Sequence, residues 1–204
     1  LINSKEFNGV KSSNFFIDIG TPSNLRKGEK ILIQKTKKKA AFFDRDGVIN
    51  HDFGYVHKFE NFKFFKGVIR SIRYLIKNNY HIFIVTNQAG IAKKKFSYGD
   101  FFMLHKKLKF FFLNKNIYFD DVQFSPYHPE SKIKKYKKKS ILRKPNNGMI
   151  RNIIRKFNID IKKSFMIGDQ LSDMLAAQKS NLYYEPKRKE FFSQIKKMSK
   201  KYAK

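Results

Sequence analysis

Apolar and polar positions alternate along this chain with two different periods, and the switches between them outline its elements. Residues 40–43 form a short apolar run that stops at Asp44, the pattern of a buried strand. Val68, Ile69, Ile72, Leu75 and Ile76 recur at helical spacing and predict a helix over residues 68–78. Residues 81–85 are a second β-rich run, closed by Thr86-Asn87-Gln88. Ser97-Tyr98-Gly99-Asp100 reads as a helix start with Asp in the place of the usual capping-box Glu, and that helix should reach Asn114. Residues 121–124 predict a third strand, and a polar, lysine-rich loop over residues 125–144 follows it. A helix is expected over residues 147–157, a strand over 164–167, a helix over 171–179 and a last strand over 182–184.

Strand–helix alternation of this kind argues for an α/β fold built on a doubly wound parallel sheet. Ligands in such sheets sit beyond the carboxyl ends of the strands. Three polar clusters fall there: Asp44 to Asp46, Thr86 to Gln88, and Gly168-Asp169. Residues 1–39 are less regular. Phe15-Phe16-Ile17-Asp18-Ile19-Gly20-Thr21-Pro22 reads as a strand ending in a turn, and residues 35–39 as a basic linker. The division expected is therefore a remnant or linker at 1–39, a domain at 40–185, and a basic tail at 186–204, helical or disordered. The first residue, Leu1, suggests a segment of a longer product.

Composition narrows the chemistry. Apolar residues make up 41% of the 204 residues, enough for a sizeable core. Cysteine is absent, which excludes disulfides, thiol catalysis and thiolate metal sites. No apolar run approaches the roughly 18–20 residues that span a bilayer, and nothing reads as a secretory signal. A cytoplasmic monomer with no membrane partner is the expectation. The formal charge of +29 admits three readings: A/T-rich coding bias, attraction of anionic substrates, or a nucleic-acid surface. The basic residues are scattered, and lysine, phenylalanine, asparagine and isoleucine are abundant together, which favours bias. A nucleic-acid partner is not expected.

The carboxylates carry the chemistry. A phosphate monoester resists hydrolysis because its hydrated anion repels a nucleophile, so an enzyme needs an in-line nucleophile, a cation and an acid. Asp44 at a strand end can attack phosphorus, giving an aspartyl phosphate. Asp46, two residues on, can protonate the leaving oxygen and later activate water. Gly47 lets the backbone turn sharply beneath the phosphate. Thr86 follows the second strand, where its hydroxyl could hold a phosphoryl oxygen. Lys144, in Arg143-Lys144-Pro145, lies just before a helix. Gly168-Asp169-Gln170-Leu171-Ser172-Asp173 follows another strand and offers hard oxygen ligands suited to magnesium rather than zinc.

These elements, in this order, resemble the four motifs of the haloacid dehalogenase superfamily over about residues 40–185. The resemblance implies a Rossmann-like sheet with minimal cap loops, and magnesium held by Asp44, Asp169 and the Asp46 backbone carbonyl, with Asp173 in support. It implies that Thr86 and Lys144 stabilise the transferring phosphoryl group. Asp44-Arg45-Asp46-Gly47-Val48-Ile49-Asn50, Asp52-Phe53-Gly54-Tyr55-Val56-His57, Thr86-Asn87-Gln88-Ala89-Gly90-Ile91-Ala92 and Arg143-Lys144-Pro145 with Gly148-Met149 are similar to the heptose bisphosphate phosphatase and histidinol-phosphatase family. That likeness implies substrate contacts from Asp52, Phe53, Gly54, Tyr55, Thr86, Asn87, Gln88, Ala89, Arg143, Lys144 and Gln170. The implied reaction removes the C7 phosphate of a heptose 1,7-bisphosphate during nucleotide-activated heptose biosynthesis. Arg143 is a sensible fork for the second phosphate of a sugar bisphosphate.

Two departures stand out. Many relatives hold the loop after the third strand with zinc, through three cysteines and a histidine. The matching positions here are Ser125, Tyr127, Ser140 and Leu142, with His128 beside the pattern, so no zinc is expected. Gln170 stands where the heptose enzymes often carry a substrate-contacting lysine. The "DIGTP" segment at Asp18–Pro22 resembles the end of sugar-1-phosphate nucleotidyltransferases. It implies a fused or associated upstream enzyme, and leans toward the α anomer and GDP-heptose. Three rival readings are histidinol-phosphate phosphatase, polynucleotide 3′-phosphatase, and a non-catalytic nucleic-acid-binding module.

Overall fold

The computed structural model describes residues 16–202, and the chain divides between Thr36 and Lys37 into two units. In the first, helix α1 (Pro22–Lys35) begins where Pro22 takes the first helical position and Thr21 Oγ1 accepts the backbone N–H of Asn24 at 3.2 Å. The expected strand before it is not there: residues 16–20 make no strand pairing, and Asp18 Oδ1 accepts from Gly20 N at 2.8 Å. The turn signal was the informative part of that segment. Phe15 and the residues before it lie outside the described residues.

The second unit is a five-stranded parallel sheet with the order β3-β2-β1-β4-β5. In chain order its elements are β1 (Lys39–Phe43), α2 (Val68–Lys77), β2 (Tyr80–Asn87), α3 (Ala89–Ala92), α4 (Tyr98–Leu113) and β3 (Asp121–Ser125). There follow α5 (Gly148–Lys156), β4 (Phe165–Gly168), α6 (Leu171–Gln178), β5 (Tyr183–Pro186) and α7 (Phe191–Tyr202). β1 is central, with Phe43 in register with Ile84 of β2 and Ile167 of β4. The strand pleat sends alternate residues to opposite faces. Ala41, Phe43, Ile82, Ile84, Phe165 and Ile167 join the core under α2, α4 and α7. Ala40, Phe42, Phe83, Val85 and Met166 join the core under α5 and α6. Both faces are covered, so the inner strands read as apolar runs rather than as alternating ones.

α4 starts as its sequence predicts. Ser97 Oγ accepts from Asp100 N at 3.0 Å, and Asp100 Oδ2 accepts from Ser97 N at 2.7 Å. The tail expected beyond residue 185 is instead part of the core. Phe191, Ile195, Met198 and Tyr202 of α7 are buried against the sheet and α2. The unit therefore continues to Tyr202, and its dense lysines lie on the solvent face of an amphipathic helix. No helix among the described residues is long and apolar enough to cross a membrane.

Candidate active site

The chain reverses its winding direction at β1: β2 and β3 lie on one side and β4 and β5 on the other. A crevice opens at such a switch point beyond the strand ends. Here it is a cavity of about 550 Å³ lined by Asp44, Asp46, Thr86, Lys144 and Asp169 together with Asn87, Gln88, Ala89, Arg143 and Gln170. Asp52, Gly54 and Tyr55 close its rim.

Asp44 still belongs to the sheet through its N–H, which donates to Ile167 O at 3.0 Å. The chain then turns at once. Arg45 O accepts from Ile49 N at 2.8 Å, and Gly47 N donates to Asn50 O at 2.8 Å. Gly47 has φ 82, and a Cβ there would collide with the Asp169 carboxylate. Glycine thus lets β4's carboxylate approach the β1 turn.

The Asp44 carboxylate is almost closed off from solvent. Its Oδ1 accepts from Arg45 N at 2.7 Å and pairs with Lys144 Nζ at 3.0 Å. Its Oδ2 meets no donor among the described residues, which leaves one oxygen for a phosphorus atom or a cation. Burial pushes the Asp44 carboxyl up to about 7 against the pull of Lys144, and the charges of Asp173 and Asp46 add to the rise. Lys144 is also buried, with Nζ 2.6 Å from Asp173 Oδ1 and donating to Val85 O at 2.8 Å. Burial alone would lower its pKa, but Asp44 and Asp173 outweigh that and hold it above the ordinary lysine value.

Lys144 is positioned by β2. Asn87 Oδ1 accepts from Lys144 N, and Asn87 Nδ2 donates to Lys144 O, both at 3.0 Å. Asn87 therefore lines the cavity and also fixes the loop that delivers the cation. Gln88 acts internally in the same way, since its Nε2 donates to Thr86 Oγ1 and to Asp46 Oδ2, each at 2.9 Å.

Asp46 is held by more donors than its sequence neighbourhood suggested. Arg45 Nη2 donates to Oδ2 at 2.8 Å and Nε to Oδ1 at 3.1 Å, while Asn50 Nδ2 donates to Oδ1 at 2.9 Å. Arg45 is 0% exposed, and its Nη2 also donates to Val56 O at 2.7 Å. Sequence reasoning assigns Arg45 and Asn50 no role. Their only trace is their place inside the Asp44–Asn50 motif, because a residue beside a nucleophile carries no spacing signal for where its side chain turns.

Asp173 sits in the first turn of α6. Its Oδ2 accepts from Asp169 N and Gln170 N at 3.1 Å, and a Cβ on Gly168 would strike it. Its Oδ1 faces Lys144 Nζ at 2.6 Å. Asp44, Asp169 and Asp173 each offer one carboxylate oxygen, all within 4.8 Å of one another. Hard oxygen donors closing on a space that Gly47 keeps clear fit a magnesium ion.

Phe53 is the exception among the expected contacts. It is 66% exposed, lies outside the cavity lining, and stacks on His51 at 5.9 Å between ring centroids. Arg143 does reach the cavity, with Nη1 donating to Tyr127 O at 3.2 Å. The loop carrying it is built from hydrogen bonds and rings: Ser131 Oγ donates to Ala92 O at 2.9 Å, and Lys138 lies 4.2 Å from the Tyr127 ring centroid.

A buried carboxylate at the end of the central strand, a second one two residues on, a lysine and an acidic cluster define a phosphoric monoester hydrolase of the haloacid dehalogenase class. The polynucleotide kinase 3 phosphatase family matches residues 39–198, and the chain belongs to that family. The chain is 41% identical over 138 residues to a D-glycero-β-D-manno-heptose-1,7-bisphosphate 7-phosphatase of Photorhabdus laumondii, covering 68% of this chain and 73% of that protein. It is 38% identical over 143 residues to the Escherichia coli K12 protein of the same name, covering 70% and 75%. A solved D,D-heptose 1,7-bisphosphate phosphatase from B. bronchiseptica, in complex with magnesium and phosphate, superposes with a TM-score of 0.62. It is 26% identical, and the match covers 72% of this chain and 78% of that one. A solved protein from Mesorhizobium loti shares the fold with a TM-score of 0.74 at 22% identity, over 81% and 88% of the two chains.

Proposed function

We propose that this phosphatase removes the C7 phosphate of D-glycero-D-manno-heptose 1,7-bisphosphate through an aspartyl phosphate on Asp44. The observation that carries the reading is the cavity itself, which Asp44, Asp46, Thr86, Arg143 and Lys144 line together, with Lys144 paired to Asp44 Oδ1 and no donor on Oδ2 among the described residues. The names of the relatives support the choice of sugar.

Asp44, Asp169 and the Asp46 backbone carbonyl would hold magnesium, with Asp173 bracing the turn beneath. The ion would supply positive charge to the phosphoryl oxygens when bound. The chain's own residues account for the rest. Asp44 Oδ2 attacks the C7 phosphorus, and the P–O bond to the sugar breaks. Asp46, oriented by Arg45, Asn50 and Gln88, delivers a proton to the departing C7 oxygen. It then takes a proton from the water that attacks the aspartyl phosphate and releases inorganic phosphate. Lys144 and Thr86 hold the charge that spreads over the transferring group. Arg143, in the cavity lining, pairs with the second phosphate, and Gln170 offers a neutral amide where a cation would bind more strongly.

The test is a comparison of kcat/KM on D-glycero-D-manno-heptose 1,7-bisphosphate, histidinol phosphate and a 3′-phosphorylated oligonucleotide, with the product identified. The heptose is expected to lead, with heptose 1-phosphate as product. Preference for histidinol phosphate or for the oligonucleotide would assign the site to one of the rivals. The same assay should be run on both anomers, because the relatives are named for the β form while the Asp18–Pro22 segment leans toward the α form.

A further inference from the structure

Beside the catalytic cavity lies a separate and larger groove, about 1220 Å³, between the start of α2 and the start of α7. Six cations line it, Lys66, Arg70 and Arg73 from the α2 side and Lys187, Arg188 and Lys189 from the α7 side, against the single carboxylate of Glu190. Lys66, Arg70 and Lys189 are exposed and form no ion pair with a carboxylate among the described residues, whereas Arg188 pairs with Glu185 at 3.5 Å. Arg73 Nη2 donates to Lys115 O at 3.1 Å and Arg70 lies over the Phe192 ring, so Lys66 and Lys189 are the groove's cations without a partner among the described residues, and such charge attracts an anion.

The backbone adds to this. α2 starts at Gly67 with no side-chain cap, and the N–H groups of Ile69, Arg70, Phe192 and Ser193 find no acceptor among the described residues. All four of those residues line the groove, so the positive ends of two helices face the same space. The groove is also wired to the catalytic strand ends. Lys187 N donates to Gly168 O at 2.9 Å, one residue before Asp169, and His51 lines the groove while Asp52 lines the catalytic cavity.

The aromatic rings narrow the ligand class. Phe65 is covered by Lys187 Nζ at 3.3 Å and Phe192 by the Arg70 guanidinium at 4.1 Å. Ring faces already occupied by the protein's own cations are poor platforms for stacking bases, which single-stranded nucleic acid requires. Paired helix ends favour discrete phosphate groups over a diffuse backbone.

We propose that this groove is a binding site for a compact ligand carrying a chain of phosphate groups. Inorganic tripolyphosphate and the phosphate chain of a nucleoside triphosphate share that chemistry. The site is independent of the sugar that the catalytic cavity turns over.

Calorimetric titration of the full chain in EDTA-containing buffer with inorganic tripolyphosphate, ATP and an oligothymidylate of matched charge tests the proposal. Tripolyphosphate is expected to bind, and the double variant Arg70→Glu/Lys189→Glu to weaken it at least tenfold, with Lys66→Glu alone giving a smaller loss. The double variant should retain p-nitrophenyl phosphate hydrolysis within twofold, which reports an intact fold and catalytic site. ATP binding equal to tripolyphosphate means that the phosphate chain alone is read, and tighter ATP binding means that the nucleoside adds contacts; both support the site. Undetectable binding of both, unchanged affinity in the double variant, or tighter binding of the oligothymidylate would overturn it.

Discussion

The Arg45 guanidinium forks across Asp46, with Nη2 2.8 Å from Oδ2 and Nε 3.1 Å from Oδ1, while the same Nη2 holds Val56 O at 2.7 Å. One buried side chain therefore orients the carboxylate proposed as the acid–base group and anchors the loop carrying Val56. Replacing Arg45 with Ala removes both functions. We expect kcat to fall about 10²-fold with a smaller change in KM, as for loss of a positioned acid–base group. We also expect a stability loss of about 2–4 kcal/mol from the buried acceptors left unpaired. Steady-state kinetics and urea unfolding separate the two effects. Arg45→Lys should recover part of the stability but little of kcat, since an ammonium cannot reproduce the fork.

Gly47→Ala tests the space between β1 and β4. The φ of 82 and the collision with Asp169 both oppose any side chain there. Asp169 must shift, so the magnesium concentration giving half-maximal activity should rise at least about tenfold, in proportion to a lost carboxylate ligand. An unchanged metal requirement would mean that Asp169 does not serve the ion.

Asp44 makes stability depend on pH in an uncommon direction. Its carboxyl titrates near 7 in the folded protein, raised by burial, against 3.8 for an ordinary aspartate in an unfolded chain. Between those values the native state binds more proton than the unfolded state, so stability falls as pH rises through about 4 to 7. In EDTA, the melting temperature of the wild type relative to Asp44→Asn should decline across that window. Adding magnesium at a pH of about 7.5 should reverse the decline, because a cation favours the ionised carboxylate.

Truncation before Phe191 should leave no soluble phosphatase. It removes Phe191, Ile195, Met198 and Tyr202 from the core, each 7% exposed or less. Large buried side chains cost about 2–5 kcal/mol apiece, which exceeds the stability of a typical domain when summed. Expression and gel filtration of the truncated chain check this directly. A folded, active product would restore the reading of that segment as a tail.

Much of the fold was legible because the parallel strands are short apolar runs ending at carboxylates, as at Phe43–Asp44 and Gly168–Asp169. Asp44, Asp46, Thr86 and Asp169 were visible as chemistry at strand ends and Lys144 as a cation before a helix, and the cavity gathers all of them. Other features were hidden for physical reasons. α7 is so rich in lysine that its apolar positions, 191, 195, 198 and 202, were masked by the surrounding charge. Residues 16–20 carry β-prone side chains but pair with no strand among the described residues, and propensity without a partner makes no sheet. The roles of Arg45, Asn50 and Gln88 depend on side chains that fold back onto Asp46, a three-dimensional relation without a periodic signature. Phe53 shared a motif with cavity residues yet found its packing partner in His51.

Covalent phosphorylation of Asp44 by the C7 phosphate of the heptose bisphosphate is the step on which the proposed reaction turns. Rapid quenching of the enzyme with substrate radiolabelled at the C7 phosphate, followed by borohydride reduction and peptide mass analysis, reads this out. A labelled acyl phosphate that reduction converts to homoserine at position 44 is the predicted result, with no label in Asp44→Asn. Labelling at another residue, or undiminished phosphate release by a clean preparation of Asp44→Asn, would contradict that claim.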